Sequence, residues 1–423
     1  LAFQQVKEVF DPLDLMNPGK IVPVSDQWQD LRARPNESLQ SPQTFLDFKP
    51  EGGFELAADL CNGNGLCRKK ENVMCPSFQA TQDEFHSTRA RAQALRAIIH
   101  KRLPLEDFTS KGIYDVMDLC LSCKGCKTEC PSQVDMAKFK SEFLYHYQEK
   151  HGYSLRSRLF GHIALIHSWM APFARLFNRM NQWPMIKKGL EQIGISSKRT
   201  LPPLAIERFS SWFVNYPQSV ELNKNVILFN DTFTEFNHPE VGQTAVRLLN
   251  ELGYRVILAP RSCCGRPALS KGLLQSARKQ AHHLITRLWP IAQYGYPLIG
   301  LEPSCLLTLR DDYLTLVKLK KEQQDQLKFI LSQCFTLDEF LMQLIDKGEF
   351  KARFMKKERY VKVHGHCYQK ALIGMEPTLK VLHSIPGFKV EEIRSGCCGM
   401  AGSFGYGKEQ EYIFMKIREL HLF

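Results

Sequence analysis

The spacing of the cysteines constrains this chain more than any other feature of its sequence. Fourteen cysteines occur in 423 residues, and residues 131–262 contain none. Seven lie between residues 61 and 130, six lie in short motifs between 263 and 398, and Cys334 stands apart. The first residues show no charged region followed by an apolar stretch, so no secretory signal is recognised. Metal or redox chemistry in two modules therefore explains the cysteines better than disulfides do.

The first module contains one complete cysteine motif. Its spacing is C-x2-C-x2-C-x3-C-P, formed by Cys120, Cys123, Cys126, Cys130 and Pro131. Bacterial ferredoxins have this run, in which three cysteines bind one [4Fe–4S] cluster and the fourth binds the other. Zinc is the alternative, but structural zinc sites usually take two separated cysteine pairs. The motif therefore predicts an iron–sulfur cluster.

A second, incomplete motif precedes it. Cys61 and Cys67 are followed by Cys75 and Pro76, and Asn64 occupies the position of the second ferredoxin cysteine. The crossing rule assigns cluster one to Cys75, Cys120, Cys123 and Cys126, and cluster two to Cys61, Cys67 and Cys130. Cluster two then lacks a fourth thiolate. It is either [3Fe–4S], as a similar C-x5-C pattern in the iron–sulfur subunit of succinate dehydrogenase suggests, or [4Fe–4S] with another ligand.

Helical segments accompany both motifs. Residues 86–96 have helical character, with Ser87 placed as the cap. Residues 115–119 lead in helical register into the cysteine run that begins at Cys120. The arginines of the first helix face solvent, contact another domain or offset the charge of the clusters. Two helices with two cluster loops resemble the alpha-helical ferredoxin domain of succinate dehydrogenase and anaerobic glycerol-3-phosphate dehydrogenase. We expect that domain over residues 51–150.

The middle of the chain is basic and helical. Apolar residues recur at steps of three or four through residues 135–215, which predicts helices, and we expect a connector over 151–220. Residues 151–215 hold nine Lys or Arg against two Glu, so +7 of the net charge of +12 lies there. This surface is either simply solvated or contacts an anionic partner, a membrane or a protein. No nucleic-acid-binding module accompanies the charge, so nucleic acid is not an expected partner.

From residue 224 onward, short apolar runs alternate with helical segments. The runs end at cysteine motifs or polar residues: Asn230-Asp231, Cys263-Cys264-Gly265, Cys305, Cys367 and Cys397-Cys398-Gly399. Such alternation predicts a parallel sheet, which holds ligands at the carboxyl ends of its strands. Two Cys-Cys-Gly motifs indicate a duplication, with repeats over 221–316 and 317–423. The predicted fold is mixed, a helical two-cluster ferredoxin domain plus a duplicated α/β domain.

This region resembles the paired cysteine-rich CCG domains of heterodisulfide reductase and of the iron–sulfur subunits of glycolate oxidase and glycerol-3-phosphate dehydrogenase. Here the first repeat lacks its early cysteine, where Asn230-Asp231 stand, and the second ends before a later one. One shared site for a third iron–sulfur cluster is therefore expected, with ligands from Cys263 or Cys264, Cys305, Cys367, and Cys397 or Cys398. A redox-active dithiol and a structural zinc site are the alternatives. Cys334 is expected to be inert.

The N-terminal residues carry a further resemblance. Residues 10–22, FDPLDLMNPGKIV, are rich in turn-forming residues and resemble the closing segment of FAD-linked oxidases. Residues 1–22 are thus expected to end an upstream FAD-linked oxidase domain, and the proline-rich residues 23–50 to be a linker. Over nearly its whole length the chain resembles the C-terminal half of fused FAD and iron–sulfur D-2-hydroxyacid dehydrogenases, of the D-lactate or D-2-hydroxyglutarate type.

That resemblance implies the electron-transfer half of an oxidoreductase. FAD in the upstream domain takes a hydride from the 2-hydroxy acid, and the clusters pass electrons to a quinone or a soluble acceptor. This part alone would not oxidise the substrate. The alternatives are a stand-alone iron–sulfur carrier or sensor, and a thiol–disulfide reductase at the CCG motifs. No apolar run is long enough to span a bilayer, so a cytoplasmic location is expected, with peripheral membrane contact through residues 151–215.

Overall fold

The computed structural model describes residues 2–16, 18–19, 22, 38–69, 73–219, 222–350, 354 and 356–421. Within them the chain is helical up to residue 215 and alternates strands with helices from residue 224. The predicted mixed fold is confirmed. None of the described helices combines the length and the apolar character that crossing a bilayer requires.

The first cysteine motifs lie in loops between the helices of the N-terminal part. These helices are α1 (Ala2–Phe10), α2 (Phe54–Asp59), α3 (Pro76–Thr81), α4 (Thr88–Ile99), α5 (Lys111–Asp118), α6 (Gly125–Glu129) and α7 (Met136–His151). Ser87 caps α4 as predicted, because its hydroxyl accepts a hydrogen bond of 3.0 Å from the backbone N–H of Ala90. Rings of Phe48, Phe54 and Phe139 pack on one another in the core.

The end of the predicted linker belongs to this helical part. Leu46 and Phe48 are buried, and the carboxylate of Glu142 on α7 accepts hydrogen bonds of 2.7 and 2.8 Å from the backbone of Phe45 and Leu46. Large apolar side chains such as those of Leu46 and Phe48 are usually buried, which indicates packing against a core. The nearby prolines led to the prediction of a linker instead. Residues 23–37 of the predicted linker lie outside the described residues.

The basic connector is helical, as its periodicity predicted. It consists of α8 (Leu155–Gly161), α9 (Ile163–Met170), α10 (Ala174–Met180), α11 (Pro184–Gln192) and α12 (Phe209–Asn215). Its first helix is held against the α/β part. A Cβ on Gly161 would lie 2.2 Å from a methyl group of Leu273, and Arg156 forms an ion pair with Glu409.

The α/β part contains two parallel sheets. Strands β1 (Lys224–Leu228), β2 (Tyr254–Leu258), β3 (Leu298–Gly300) and β4 (Cys334–Thr336) form the first, in the order β2-β1-β3-β4. Strands β5 (Arg359–Val363) and β6 (Phe388–Glu392) form the second. Strand β4 was not predicted, because three residues are too few to show a strand pattern. The first sheet therefore extends beyond the repeat boundary that the sequence placed at residue 316.

The helices of this part cover the sheets and follow the cysteine motifs. They are α13 (Thr232–Phe236), α14 (Pro239–Glu251), α15 (Arg266–Ser270), α16 (Leu274–Ala292), α17 (Pro303–Leu307), α18 (Tyr313–Leu316), α19 (Lys321–Ser332), α20 (Leu337–Asp346), α21 (Cys367–Leu372), α22 (Glu376–His383) and α23 (Glu411–His421). A π-helical turn, Thr308–Asp312, connects α17 to α18. Such turns often occur at functional sites.

The two N-terminal cysteine motifs cross at Gly125, the first residue of α6. A Cβ at Gly125 would lie 2.9 Å from the backbone nitrogen of Met74. The backbone there cannot easily withdraw, because the carboxylate of Glu129 accepts hydrogen bonds of 2.8 and 2.9 Å from the N–H groups of Val73 and Met74. Only glycine therefore allows this close approach.

We expect Gly125→Ala to lower the free energy of unfolding by about 1–3 kcal/mol, because the added methyl group overpacks the crossing. The measurement is the midpoint of urea denaturation. Gly189→Ala is the matched control, since a Cβ there meets nothing within 4 Å and α11 gains a better helix former. Equal shifts for both variants would show that the crossing does not depend on glycine.

Candidate iron–sulfur centres

The four cysteines predicted for cluster one line a single buried cavity. Cys75, Cys120, Cys123 and Cys126 line it together with Arg91. Cys75 lies at the start of α3, Cys120 and Cys123 lie on the loop that leads into α6, and Cys126 is the second residue of α6. Their assignment as cluster ligands is a prediction that this convergence supports.

Positive groups surround this cavity. Arg91 is almost fully buried, with its Nη1 atom 3.7 Å from Cys75 Sγ and its Nη2 atom 3.0 Å from Ser77 Oγ. Lys140 on α7 donates a hydrogen bond of 2.5 Å to the carbonyl oxygen of Cys120. The arginines of this helix were expected to face solvent, to contact another domain or to offset the charge of the clusters. The buried position of Arg91 beside Cys75 suits the third of these roles. The donor set and its charge fit an iron–sulfur cluster held by thiolates.

Burial opposes ionisation of these thiols when no metal is bound. It raises the pKa of Cys123 and of Cys126 well above the usual value, and the neighbouring charges of Cys367 and Asp135, respectively, raise them further. Thiolates are the species that bind iron, so metal binding must displace these protons. Cluster loading is therefore expected to be coupled to proton release.

The second motif forms a glycine-containing loop. Gly63 and Gly65 adopt left-handed backbone angles, with φ of 79° and 78°, between Cys61 and Cys67. Burial raises the pKa of Cys67, and the charges of Cys75, Glu84 and Cys61 raise it further, so these groups are neighbours. Cys130 is half-buried at the end of α6 and packs against the hydrophobic core that contains Cys61 and Cys67.

Asn64, at the position of the missing cysteine, folds back onto its own loop. Its Oδ1 atom accepts a hydrogen bond of 2.9 Å from the backbone of Leu66, and its Nδ2 atom donates to Asn62 Oδ1 at 2.8 Å. Such local bonds are typical of asparagine in turns. The amide therefore shapes the loop.

The described cysteines are all free thiols. Across the ranges that the structure describes, no set of three or more His, Cys, Asp or Glu side chains is arranged to hold a single metal ion. Cluster ligands each bind a different iron of the cubane, so they are not expected to converge on one point.

The six CCG cysteines form two groups of three, each joined by hydrogen bonds between thiols. Cys264 is bonded to both Cys263 and Cys305. Cys397 is bonded to both Cys367 and Cys398. The single cluster site shared by the two groups remains a prediction.

The duplication is regular at the level of the backbone. Cys263 and Cys397 each follow the end of a strand, β2 or β6, by five residues, and Cys367 begins α21 four residues after β5. The residue four positions after β1 is Thr232, which begins α13. Thr232 therefore occupies the place of the early cysteine, which the sequence had assigned to Asn230-Asp231. Its hydroxyl group is hydrogen-bonded to Cys263.

The two groups differ in charge. In the second group, hydrogen bonds from Cys397 and His364 lower the pKa of Cys398 to about 4. A bond from Cys397, aided by the charge of His366, lowers the pKa of Cys367 to about 6. In the first group, Cys264 lowers the pKa of Cys305, but burial and two carboxylates outweigh it and raise that pKa to about 12. Two thiols of the second group, Cys367 and Cys398, are thus ready to ionise, whereas Cys397 and the thiols of the first group are held protonated by raised pKa values.

Arg266 lies between the two groups. Its guanidinium interacts electrostatically with Cys264 of the first group and Cys367 of the second, and its buried Nε atom has no hydrogen-bond partner. Next to it, His366 Nε2 lies 3.8 Å from Glu302 Oε1. Helices α17 and α21, which carry Cys305 and Cys367, pack against each other. Arg266 is therefore a basic residue that both groups of CCG cysteines share.

Cluster one and the second CCG group are also neighbours. The charge of Cys367 affects Cys123, and Cys123 shares a buried apolar cluster with Cys397. Helix α6 packs against α21, and α3 packs against α23. Lys124, which follows Cys123, is 2% exposed and pairs with Asp311 and with Asp312, the latter at 2.6 Å. These ion pairs fix the loop that carries Cys120 and Cys123 to the α/β part.

Cys334 takes no part in these groups. It is buried at the start of β4, and its thiol donates a hydrogen bond of 3.2 Å to the carbonyl oxygen of Ile330. Burial raises its pKa to about 12. A protonated, buried thiol is unreactive, in agreement with the expectation from its isolated position.

Comparison with known proteins identifies both modules. Residues 57–134 match the family model of the 4Fe-4S dicluster domain, and residues 231–310 match that of the Cysteine-rich domain. The chain is thus similar to iron–sulfur oxidoreductases, and the resemblance drawn from the cysteine motifs is confirmed. These similarities support a role in iron–sulfur electron transfer.

Curated relatives resemble this chain over different shares of its length. D-2-hydroxyglutarate dehydrogenase of Escherichia coli K12 is 27% identical over 99% of this chain and 44% of its own length. One component of the anaerobic glycerol-3-phosphate dehydrogenase from the same organism is 29% identical over 60% of this chain and 64% of its own. Lactate utilization protein A of Exiguobacterium is 29% identical over 43% of this chain and 73% of its own. The chain thus spans less than half the length of the dehydrogenase relative. No solved structure matches it.

We expect Cys398 to be the CCG cysteine that iodoacetamide alkylates first in iron-free protein. Its thiol ionises near pH 4, so the rate should be nearly constant between about pH 6 and pH 8. His364→Asn removes one stabilising hydrogen bond and should make the rate rise with pH. Mass spectrometry of the labelled peptides gives the rates, with Cys334 as the unreactive reference. A rate that already rises steeply with pH in the unaltered chain would contradict the assignment.

Proposed function

We propose that this chain is the electron-transfer half of a flavin-dependent D-2-hydroxyacid dehydrogenase. Electrons would come from FAD in an upstream domain and pass to a quinone or a soluble acceptor. The similarity to D-2-hydroxyglutarate dehydrogenases supports the substrate class. The observation that carries the proposal is the continuous series of cysteine groups through the fold.

The series starts at the motif of Cys61, Cys67 and Cys75, continues through the run that begins at Cys120, and ends at the two CCG groups. Cys75 stands between the motifs, because its charge acts on Cys67 as well as on Cys126. Cys123 is next to Cys367, and Arg266 links Cys367 to Cys264. Iron–sulfur clusters, when bound, accept and release single electrons at potentials set by charge and hydrogen bonding. Neighbouring sites of this kind suit stepwise transfer better than storage or sensing.

We assign three clusters within this proposal. Cluster one is held by Cys75, Cys120, Cys123 and Cys126, and cluster two by Cys61, Cys67 and Cys130 with one ligand besides. The third cluster is held between the CCG groups. Its supporting observation is Arg266, whose unpartnered Nε atom suits an anionic sulfur cluster.

The N-terminal segment supports the FAD partner. Helix α1 and the turn after it expose Phe3, Val9, Phe10, Leu13 and Leu15, each at least 75% accessible. Apolar residues clustered on a surface mark a site where another domain packs. We propose that the upstream FAD domain covers them, and that this chain without that domain does not oxidise the substrate.

In the full-length enzyme, we expect Cys123→Ser to leave substrate-dependent bleaching of the flavin intact but to abolish turnover with the natural acceptor. The loss follows because Cys123 lines cluster one and adjoins Cys367. Stopped-flow absorbance measures the bleaching, and acceptor reduction measures the turnover. Cys334→Ser is the control with an unchanged rate. Full turnover of Cys123→Ser would refute the proposed route.

One observation favours a thiol–disulfide reductase as a second function. Cys398 and Cys367 both have lowered pKa values beside the protonated Cys397, as a reactive thiol pair requires. Iron and acid-labile sulfide analysis after anaerobic purification separates the two functions. Iron for the ferredoxin domain alone, with six titratable CCG thiols, would favour the reductase.

We further propose peripheral contact of the connector with an anionic membrane, from the cytoplasmic side. Trp169, Phe173 and Leu176 follow one another at steps of four and three residues, and each is more than half exposed. Arg175 and Arg179 lie on α10 with Leu176, while Trp169 lies on α9 and Phe173 ends the short turn between the two helices. Exposed aromatic residues among basic ones are typical of helices that lie in the membrane interface.

The contact is tested with vesicles of phosphatidylcholine, with and without phosphatidylglycerol. We expect sedimentation with the anionic vesicles only, and a decrease of about tenfold or more in affinity for Trp169→Glu/Phe173→Glu. Tyr294→Glu, at a residue that is 67% exposed on the α/β part, is the control. Affinity that is unchanged in the double variant would refute the contact.

A further inference from the structure

Glu84 has the features of the ligand that cluster two lacks. It lies in the short helical turn Glu84–His86, just before α4. Its Oε1 atom accepts two hydrogen bonds, of 3.0 Å from Ser87 Oγ and 2.8 Å from Arg89 Nε. These bonds fix the plane of the carboxylate. Carboxylates that bind metals are commonly held in this way by neighbouring donors.

The other oxygen, Oε2, is left without a hydrogen bond. This atom is shielded from solvent although the Glu84 side chain is 43% exposed, and it forms an ion pair with Arg68, whose Nη1 atom is 3.7 Å away. A buried carboxylate oxygen without a hydrogen bond is costly, so its presence needs an explanation. A metal ion would supply one, because it replaces the missing donor.

Arg89 joins this carboxylate to the loop that carries Cys61 and Cys67. The charge of Glu84 acts on Cys67, and Arg89, which holds Glu84, is affected in turn by the charges of Cys67 and Cys61. Arg89 also donates a bond of 3.3 Å to the carbonyl oxygen of Gly63, in the loop between those cysteines. One arginine therefore connects the carboxylate to the cysteine loop.

We propose that the Glu84 carboxylate is the fourth protein ligand of cluster two and binds the iron that has no thiolate. Oxygen ligation makes this iron the most easily lost of the four, since iron in such clusters favours thiolate sulfur. The inference rests on the proposed second cluster and assigns its missing ligand. Asn64 is excluded from this role by its bonds within the loop.

The test compares the iron content and the EPR spectra of full-length protein purified without oxygen. In Glu84→Gln the anionic oxygen is lost, so we expect one iron fewer per chain and a [3Fe–4S] signal in the oxidised state. Glu84→Cys supplies a thiolate and should retain the iron through mild oxidation with ferricyanide. Asp83→Asn is the matched control, because Asp83 is the adjacent carboxylate and only caps the turn through the backbone of Phe85.

The outcomes separate this inference from the proposed function. Glu84→Gln with the iron content and spectrum of the unaltered protein would overturn the inference and leave two clusters in place. A full [3Fe–4S] signal from unaltered protein would also overturn it, because no fourth ligand would then be present. Unaltered protein with iron for one ferredoxin-domain cluster only would refute the second cluster itself. A loss of iron in Asp83→Asn equal to that in Glu84→Gln would show a general effect of the turn, against ligation by Glu84.

Discussion

The buried ion pairs of Lys124 hold the functional parts of this molecule together. Lys124 follows Cys123 directly and has a left-handed backbone angle, φ of 64°, which turns its side chain toward the π-helical segment that carries Asp311 and Asp312. A buried charge is tolerated only when it is well paired, and here one ammonium group meets three carboxylates, the third being Asp135 at 3.7 Å. The same peptide therefore carries a cluster ligand and the contact that fixes the ferredoxin loop to the α/β part.

Positive charge at the cysteine groups follows from the same physics. Thiolates in a buried site repel one another and are poorly solvated, so each group needs a cation or a donor nearby. Arg91 serves cluster one, Arg89 adjoins the second motif, and Arg266 lies between the CCG groups. The first CCG group has carboxylates near it instead, Asp231 and Glu302, and its thiols stay protonated. The two repeats have thus diverged in charge while their backbones remain equivalent.

The sequence predicted the mixed fold and the convergence of the four cysteines that it assigned to cluster one, because both predictions depend on local spacing. Contacts over long distances could not be predicted in this way. Lys124 and Asp311 are far apart in the chain, and no local pattern indicates that they pair. Thr232 was recognisable in principle by counting from the end of β1, but the polar residues before it drew attention first. Strand β4 exists because β3 offers it an edge, so its three residues show no signal by themselves.

The crossing of the two ferredoxin motifs has a consequence for biosynthesis. Cys75 belongs with cysteines that follow it by more than forty residues, and Gly125 must reach the backbone of Met74 before the cavity closes. Neither motif alone contains all the thiolates assigned to one cluster when it emerges from the ribosome. Iron delivered to the nascent chain before α6 emerges would find only the Cys61–Cys75 segment. On the proposed ligand assignment, cofactor insertion must wait for the later motif, because a chain that stops short of residue 126 lacks some of the thiolates assigned to each centre.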